Sequence, residues 1–281
     1  MNTRYNRKAI PPCWSAVIDP WLLWLQAQGQ RPATVETRRR HMAYLARTTQ
    51  FPEPSQVTVQ GLLAWAGSKQ WAPETRHGYY TSFSLFFTWL ASTQGRPEQF
   101  VLPRVRRPRQ PARPISKAAL EKLLTHADSR VRRATLLGAG AGLRRSEIVK
   151  VKSTDLVDDL LGMSLLVDGK GGRSRTVPLS DRLTCELKAA FRERPETPFL
   201  FPGYEDGHIS ATWLGKLMNQ EIPKPWTLHS LRHRFATDVY RTTRDITVVQ
   251  QLLGHESIDT TQRYLAVDAE ALRAAVNAIT P

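Results

Sequence analysis

Apolar residues in the first ninety positions recur at three- and four-residue spacing, which predicts helices with one buried face. Asp19 and Pro20 read as a helix start, with proline at the first helical position. Trp21, Trp24 and Leu25 share the face that follows, up to Gly29. Thr34 opens a second helix, with Val35, Met42 and Leu45 inward and residues 38–41 largely outward. A third starts at Thr58 (Leu62, Leu63, Trp65) and a fourth at Pro73 (Tyr79, Phe83, Phe86, Phe87, Leu90). Such an aromatic stripe reads first as a core face and only second as a base-stacking surface.

The period then stops. Residues 96–114, "RPEQFVLPRVRRPRQPARP", carry prolines that forbid a regular helix and favour an extended path. Beyond them Ser116 caps "KAALEKLLTHA", a helix covers about 131–140, and Gly142 breaks it. "SLLVDGKGGRSRTVPLS" alternates around a glycine-rich turn and predicts a β-hairpin. Helices return at 181–194, about 210–220, 227–241 and 245–253, the last stopped by Gly254. Asp268 caps a final stretch with Leu272, Val276 and Ile279 on one stripe. The expected class is mainly α with a small β-sheet (α+β). The expected layout is a helical domain at 1–95, a basic linker at 96–114 and a second domain at 115–281.

Charge changes this picture. Forty Lys and Arg face 25 Asp and Glu, a net +15. Residues 1–113 hold 16 basic and 5 acidic side chains, whereas residues 114–281 hold 24 and 20. The excess implies a polyanionic partner, with nucleic acid the commonest, gripped mainly by the first half. Arg38, Arg39 and Arg40, and in the linker Arg104, Arg106, Arg107 and Arg109, are candidate phosphate contacts; a solvated helix face and a plain soluble linker explain them equally. Cys13 and Cys185 are far apart, which implies neither a disulfide framework nor a cysteine metal cluster. No apolar run is long enough for a membrane span, and the N-terminus lacks the apolar stretch of a signal peptide. A cytoplasmic protein is expected.

"LHSLRHRFAT", residues 228–237, crowds two histidines and two arginines into one helical segment. Leu228, Leu231, Phe235 and Val239 form its buried stripe, while His229 and Arg232 share another face. His229 and His233 have the i, i+4 spacing of a metal pair. Ser230, however, stands where a zinc peptidase needs glutamate, and Arg232 between them repels a cation. An anion fits better: Arg232 offers a bidentate fork, and His229 a donor that also moves protons. Arg144 follows a glycine with Glu147 one turn on, Lys170 lies at the hairpin tip, His255 follows a helix end, and Tyr264 comes nine residues later. Singly, these read as a surface ion pair, a solvated lysine, a helix stop and a core tyrosine.

Together they resemble the tyrosine recombinase family, which includes phage integrases and the Xer proteins. "GLRRSE" resembles its first box, "GKGGRSRTVPL" its hairpin, "HSLRH" its second box and "LGHESIDTTQRY" its third. The resemblance spans nearly the whole chain and departs at Ala141, where many relatives have threonine. It implies that Arg144, Lys170, His229, Arg232 and His255 are catalytic, that Glu147 supports Arg144, and that Tyr264 is the nucleophile. Arg144, Arg232 and His255 suit the charge that builds on a phosphate's non-bridging oxygens. A tyrosine with pKa about 10 ionises more readily beside two guanidiniums and His229, and Lys170 suits protonation of the leaving 5′-oxygen. The product is a 3′-phosphotyrosyl bond, resealed without ATP, metal or cofactor. Arg173 and Arg145 either touch phosphates or face water; His233 either packs or steadies its box.

The resemblance further implies a C-shaped clamp on double-stranded DNA core sites. The protein would be a monomer when free and a homotetramer on paired sites, with a C-terminal helix docking on a neighbour and an accessory or directionality protein as a further partner. With about a dozen residues before the first helix, an arm-binding domain is not expected. A small temperate-phage integrase is therefore the leading expectation and a Xer-type resolvase the alternative. A type IB topoisomerase, a non-catalytic regulator and a metal hydrolase are the remaining rivals.

Overall fold

A computed structural model describes residues 9–94, 100–107, 113–169 and 174–254. The chain divides into two compact units, Met1–Arg109 and Gln110–Pro281. As the sequence pattern predicts, the fold is mainly helical with a small antiparallel sheet.

Unit one holds α1 (Pro12–Ala27), α2 (Pro32–Thr48), α3 (Val59–Gly67) and α4 (Pro73–Thr93). Helix α1 corrects an expectation. It begins at Pro12 and runs through Pro20 instead of starting there. An interior proline costs about 3 kcal/mol. Trp14 and Ile18, fully buried on the stripe continued by Trp21 and Leu25, each contribute roughly 1.5–3 kcal/mol, enough to offset it. Helix α2 likewise opens at Pro32 rather than Thr34. Thr58 caps α3 as predicted, its hydroxyl accepting from the Gly61 N–H at 3.0 Å. The aromatic stripe of α4 is core: Phe83, Phe86 and Phe87 are buried, and Trp21 meets Phe86 edge-on at 5.1 Å. Tyr80, rather than Tyr79, is the buried tyrosine. Tyr79 stacks on Trp71 at the cluster's margin, 4.4 Å between ring centres.

Unit two holds α5 (Lys117–His126), α6 (Ser129–Gly140), α7 (Arg145–Ile148), β1 (Leu156–Asp159), β2 (Gly162–Asp168), β3 (Ser174–Pro178), α8 (Asp181–Arg192), β4 (Pro202–Glu205), α9 (Ala211–Glu221), α10 (Leu228–Thr243) and α11 (Ile246–Leu253). Side chains of Ser116, Asp128, Ser180, Ser210 and Asp245 cap α5, α6, α8, α9 and α11. Each satisfies an N–H that the first helical turn leaves open. Helix α6 packs on α10, and a Cβ at Gly138 would stand 3.0 Å from that of Leu231, so the missing side chain permits the close approach. The predicted hairpin is β2–β3. Its partner β1 was not anticipated, because one half-buried residue followed by three exposed ones leaves no alternating signal. Strand order is β1-β2-β3, all antiparallel, with Leu165 opposite both Leu156 and Val177. Leu165, Val167 and Val177 point into the core. Helix α11 stops at Gly254, whose φ of 62° is left-handed, as its position in the sequence predicts.

Candidate active site

The site is built around one carboxylate. Gly142, at φ 65°, turns the chain from α6 into the single-turn helix α7. Arg144 is the N-cap of α7 and Glu147 its third residue. The Glu147 carboxylate accepts from the Arg144 backbone N–H at 2.8 Å and from Arg144 Nη1 at 2.7 Å. Strand β3 adds Arg175, whose Nη1 and Nη2 reach the two carboxylate oxygens at 3.1 and 2.9 Å. Arg232 Nη1, from α10, stands 3.8 Å away. Three guanidiniums from three elements thus share one carboxylate, and Glu147 is only 6% exposed.

Burial is the largest single influence on Glu147 and pushes its pKa up. The hydrogen bonds and charge of Arg175, with those of Arg144, together outweigh it and hold the carboxyl at about 2. Glu147 is therefore ionised at any working pH, and it fixes its arginines by charge-assisted bonds.

The same arginines close the end of α11. Its last turn leaves carbonyls without helical donors. Arg175 Nε donates to the Leu252 carbonyl at 2.9 Å, Arg232 Nη2 to that of Leu253 at 2.7 Å, and Arg144 Nη2 to that of Gly254 at 3.4 Å. Arg232 also donates to the Gly142 carbonyl. Three consecutive carbonyls at the negative end of a helix dipole thus meet three cations.

The sequence put Arg232 on a face apart from the buried stripe of α10. The structure instead buries its side chain to 1% exposure, whereas that of Arg144 is one-third exposed. Arg144 is thus the more open guanidinium of this pair. His229 lies at the surface on the first turn of α10. Partial desolvation, then the charges of Arg232 and Arg144, hold its pKa below the ordinary histidine value, so the ring is neutral near pH 7. His233 meets it edge-on at 4.3 Å. Desolvation, His229 and Arg232 lower the His233 pKa to about 4. Among the described residues, no group of three or more His, Cys, Asp or Glu is placed to hold a metal.

Arg144, Glu147 and Arg232 are thus brought together by ion pairs, with His229 close enough to feel the charges of Arg232 and Arg144. Lys170, Arg173, His255, Tyr264, Arg109 and the last predicted helix lie outside the described residues. The sequence reading missed Arg175, two residues from the Arg173 it named. The alternation of β3 was the available signal, since it sets Arg175 on the same face as the buried Val177. In unit one, the candidate phosphate contacts are less uniform than the run "RRR" suggests. Arg38 is half-buried and donates to Ser82 Oγ at 2.8 Å, and Arg39 pairs with Glu36 at 2.7 Å. Arg40 is exposed, as are Arg104, Arg106 and Arg107, the last lying 3.5 Å from Glu74. Among the described residues, no helix is long and apolar enough to cross a membrane.

Comparison with known proteins places the chain in a family. Residues 113–271 match the model of the phage integrase family. The chain is 28% identical to the tyrosine recombinase XerA of Pyrococcus horikoshii over 277 residues, 93% of each chain. It is 34% identical to the putative integrase/recombinase y4eF of Sinorhizobium fredii over 211 residues, 72% of this chain and 82% of that one. In fold it is similar to XerH recombinase bound to its difH substrate in a post-cleavage complex (TM-score 0.70, 18% identity, 93% of this chain and 84% of that one). It is equally similar to the Tn1549 transposon integrase in complex with a circular intermediate DNA (TM-score 0.70, 17% identity, 94% and 99%). With its arginine-bound carboxylate, its histidine-bearing α10 and a family match over more than half its length, the chain belongs to the phage integrase family of tyrosine recombinases, site-specific enzymes that cleave and rejoin DNA through a phosphotyrosine intermediate.

Proposed function

We propose that the cluster around Glu147 is the phosphate-binding half of the strand-cleavage site. The observation that carries this reading is the convergence of Arg144, Arg175 and Arg232 on one buried carboxylate, with Arg144 left partly open. Arg144 holds the non-bridging oxygens of the scissile phosphate, and Arg232 adds charge from beneath. Neutral His229 takes the proton that the Tyr264 hydroxyl loses as it attacks. Tyr264 attacks phosphorus, the 5′-oxygen leaves and takes a proton from Lys170, and His255 donates to the phosphate. A 3′-phosphotyrosyl bond replaces the phosphodiester, and a second 5′-hydroxyl reverses the step. Residues 1–95 grip double-stranded DNA, with the linker at 96–114 following its phosphates. Four copies act on paired core sites in the cytoplasm.

The sequence reading leaned to a temperate-phage integrase. The 28% identity to XerA across 93% of both chains favours the Xer-type alternative, whereas the 34% identity to a putative integrase/recombinase over 72% of this chain supports the integrase reading. Covalent trapping tests both. The purified protein is mixed with fragmented genomic DNA without magnesium and denatured, and protein-linked ends are sequenced. Tyr264→Phe runs in parallel. Capture by the wild type alone at a single chromosomal locus is expected. Capture at the junctions of a mobile element supports the integrase reading. Scattered capture points to a topoisomerase, and capture by Tyr264→Phe removes that residue as nucleophile.

A further inference from the structure

The proposed chemistry gives Arg175 no role, yet every nitrogen of its guanidinium is engaged within the site. The side chain is 10% exposed. Its three nitrogens all point inward: Nε to the Leu252 carbonyl, Nη1 and Nη2 to the two oxygens of Glu147. With Nη1 and Nη2 on one carboxylate, Nε on a helix end and the side chain 10% exposed, this guanidinium keeps only two of its five N–H donors uncommitted and little surface from which to grip a phosphate. What it touches is informative. Glu147 holds Arg144 by backbone and side chain. Leu252 precedes Leu253 and Gly254, whose carbonyls take Arg232 and Arg144. A Cβ at Gly254 would lie 3.0 Å from Arg175 Cδ, so the helix end rests directly on this side chain.

We propose that Arg175 is a positioning residue for strand cleavage, bracing Glu147 against the end of α11 so that Arg144 and Arg232 are held in one fixed frame. The inference rests on the functional reading above. It differs from a plain structural role in one respect: the groups it braces are those that meet the phosphate. Its loss is therefore felt in the rate of the chemical step and not in DNA affinity. The depressed Glu147 pKa fits, since Arg175 is the strongest of the influences that lower it.

The test uses the full chain and the DNA site recovered by trapping, in single-turnover cleavage. Arg175→Ala is expected to bind the duplex within about twofold of wild type and to cleave it roughly 100-fold more slowly, the size of a misplacement near 1 Å. Its rate should also gain a fall on the acid side that wild type lacks, as Glu147 protonates more readily. Arg175→Lys keeps the charge without the fork, and recovers at most about tenfold of the loss. Because Arg175 acts through Glu147, adding Arg175→Ala to Glu147→Gln should cost far less than it does in wild type. Cleavage within about twofold of wild type overturns the proposal. So does a loss confined to affinity, or single losses that multiply in the double variant. If Arg175→Ala does not melt cooperatively, Arg175→Lys carries the same comparison. If the wild type itself fails to cleave, the functional reading has failed. Amide exchange then decides the bracing: Arg175→Lys should speed exchange of the Gly254 N–H, bonded to the Gln251 carbonyl at 3.1 Å, and unchanged exchange refutes it.

Discussion

A buried carboxylate survives only where its partners compensate for lost water, and Glu147 has three. Truncation to alanine leaves buried guanidiniums without their counter-charge. Glu147→Ala should therefore lose about 3–5 kcal/mol of stability, measured by urea unfolding, with Glu147→Gln losing less. The histidines titrate in a different window. His41 and His233 are both held at about 4, first by desolvation and then by neighbouring positive groups. Each binds its proton more readily unfolded than folded. The stability they support is complete above pH 6.5 and falls as the pH drops toward 4, while Glu147 stays ionised throughout. Melting temperatures between pH 7.5 and 4 should follow that fall, and His233→Phe should flatten part of it. Most of the described site was legible because its boxes are local: Arg144 with Glu147, and His229 with Arg232, lie three residues apart on their own helices. Arg175 was not, since its partners are 28 and 77 positions away and only the paired strands bring them in.

At the scale of elements, Gly142 joins α6, α7 and α10. Its φ of 65° disfavours any side chain, and an added Cβ would clash with the edge of the Phe235 ring and stand 3.1 Å from Leu253 Cδ2. Its carbonyl also receives Arg232. Gly142→Ala should cost roughly 1–3 kcal/mol in backbone strain and a similar amount in overpacking; differential scanning calorimetry measures the sum. The residual activity of the variant should fall further than its folded fraction, because Arg232 moves with the carbonyl. Element prediction from sequence succeeded where caps and periodicity agreed, as at Thr58, Ser116 and Gly254. It failed at α1, where Pro20 signals a start that the burial of Trp14 and Ile18 overrides. It also passed over β1, which has almost no buried face of its own.

At the scale of the whole molecule, charge is divided unevenly. The first 113 residues carry a surplus of eleven positive charges and the remainder four. Duplex binding should weaken steeply between 50 and 200 mM salt, and Arg40→Ala, at an exposed position of α2, should lower the slope of log affinity against log salt by about 1. Titrations at four salt concentrations give that slope. The carboxylate cluster has a counterpart in the free protein. Three guanidiniums against one carboxylate leave two positive charges concentrated in a fold that must hold them without DNA. A folded state that stores such repulsion is one that anions selectively favour, in proportion to RT ln(1 + [L]/Kd). The unliganded enzyme should therefore melt higher in phosphate or vanadate than in chloride of equal ionic strength, so that its thermal stability becomes a gauge of whether the site is filled.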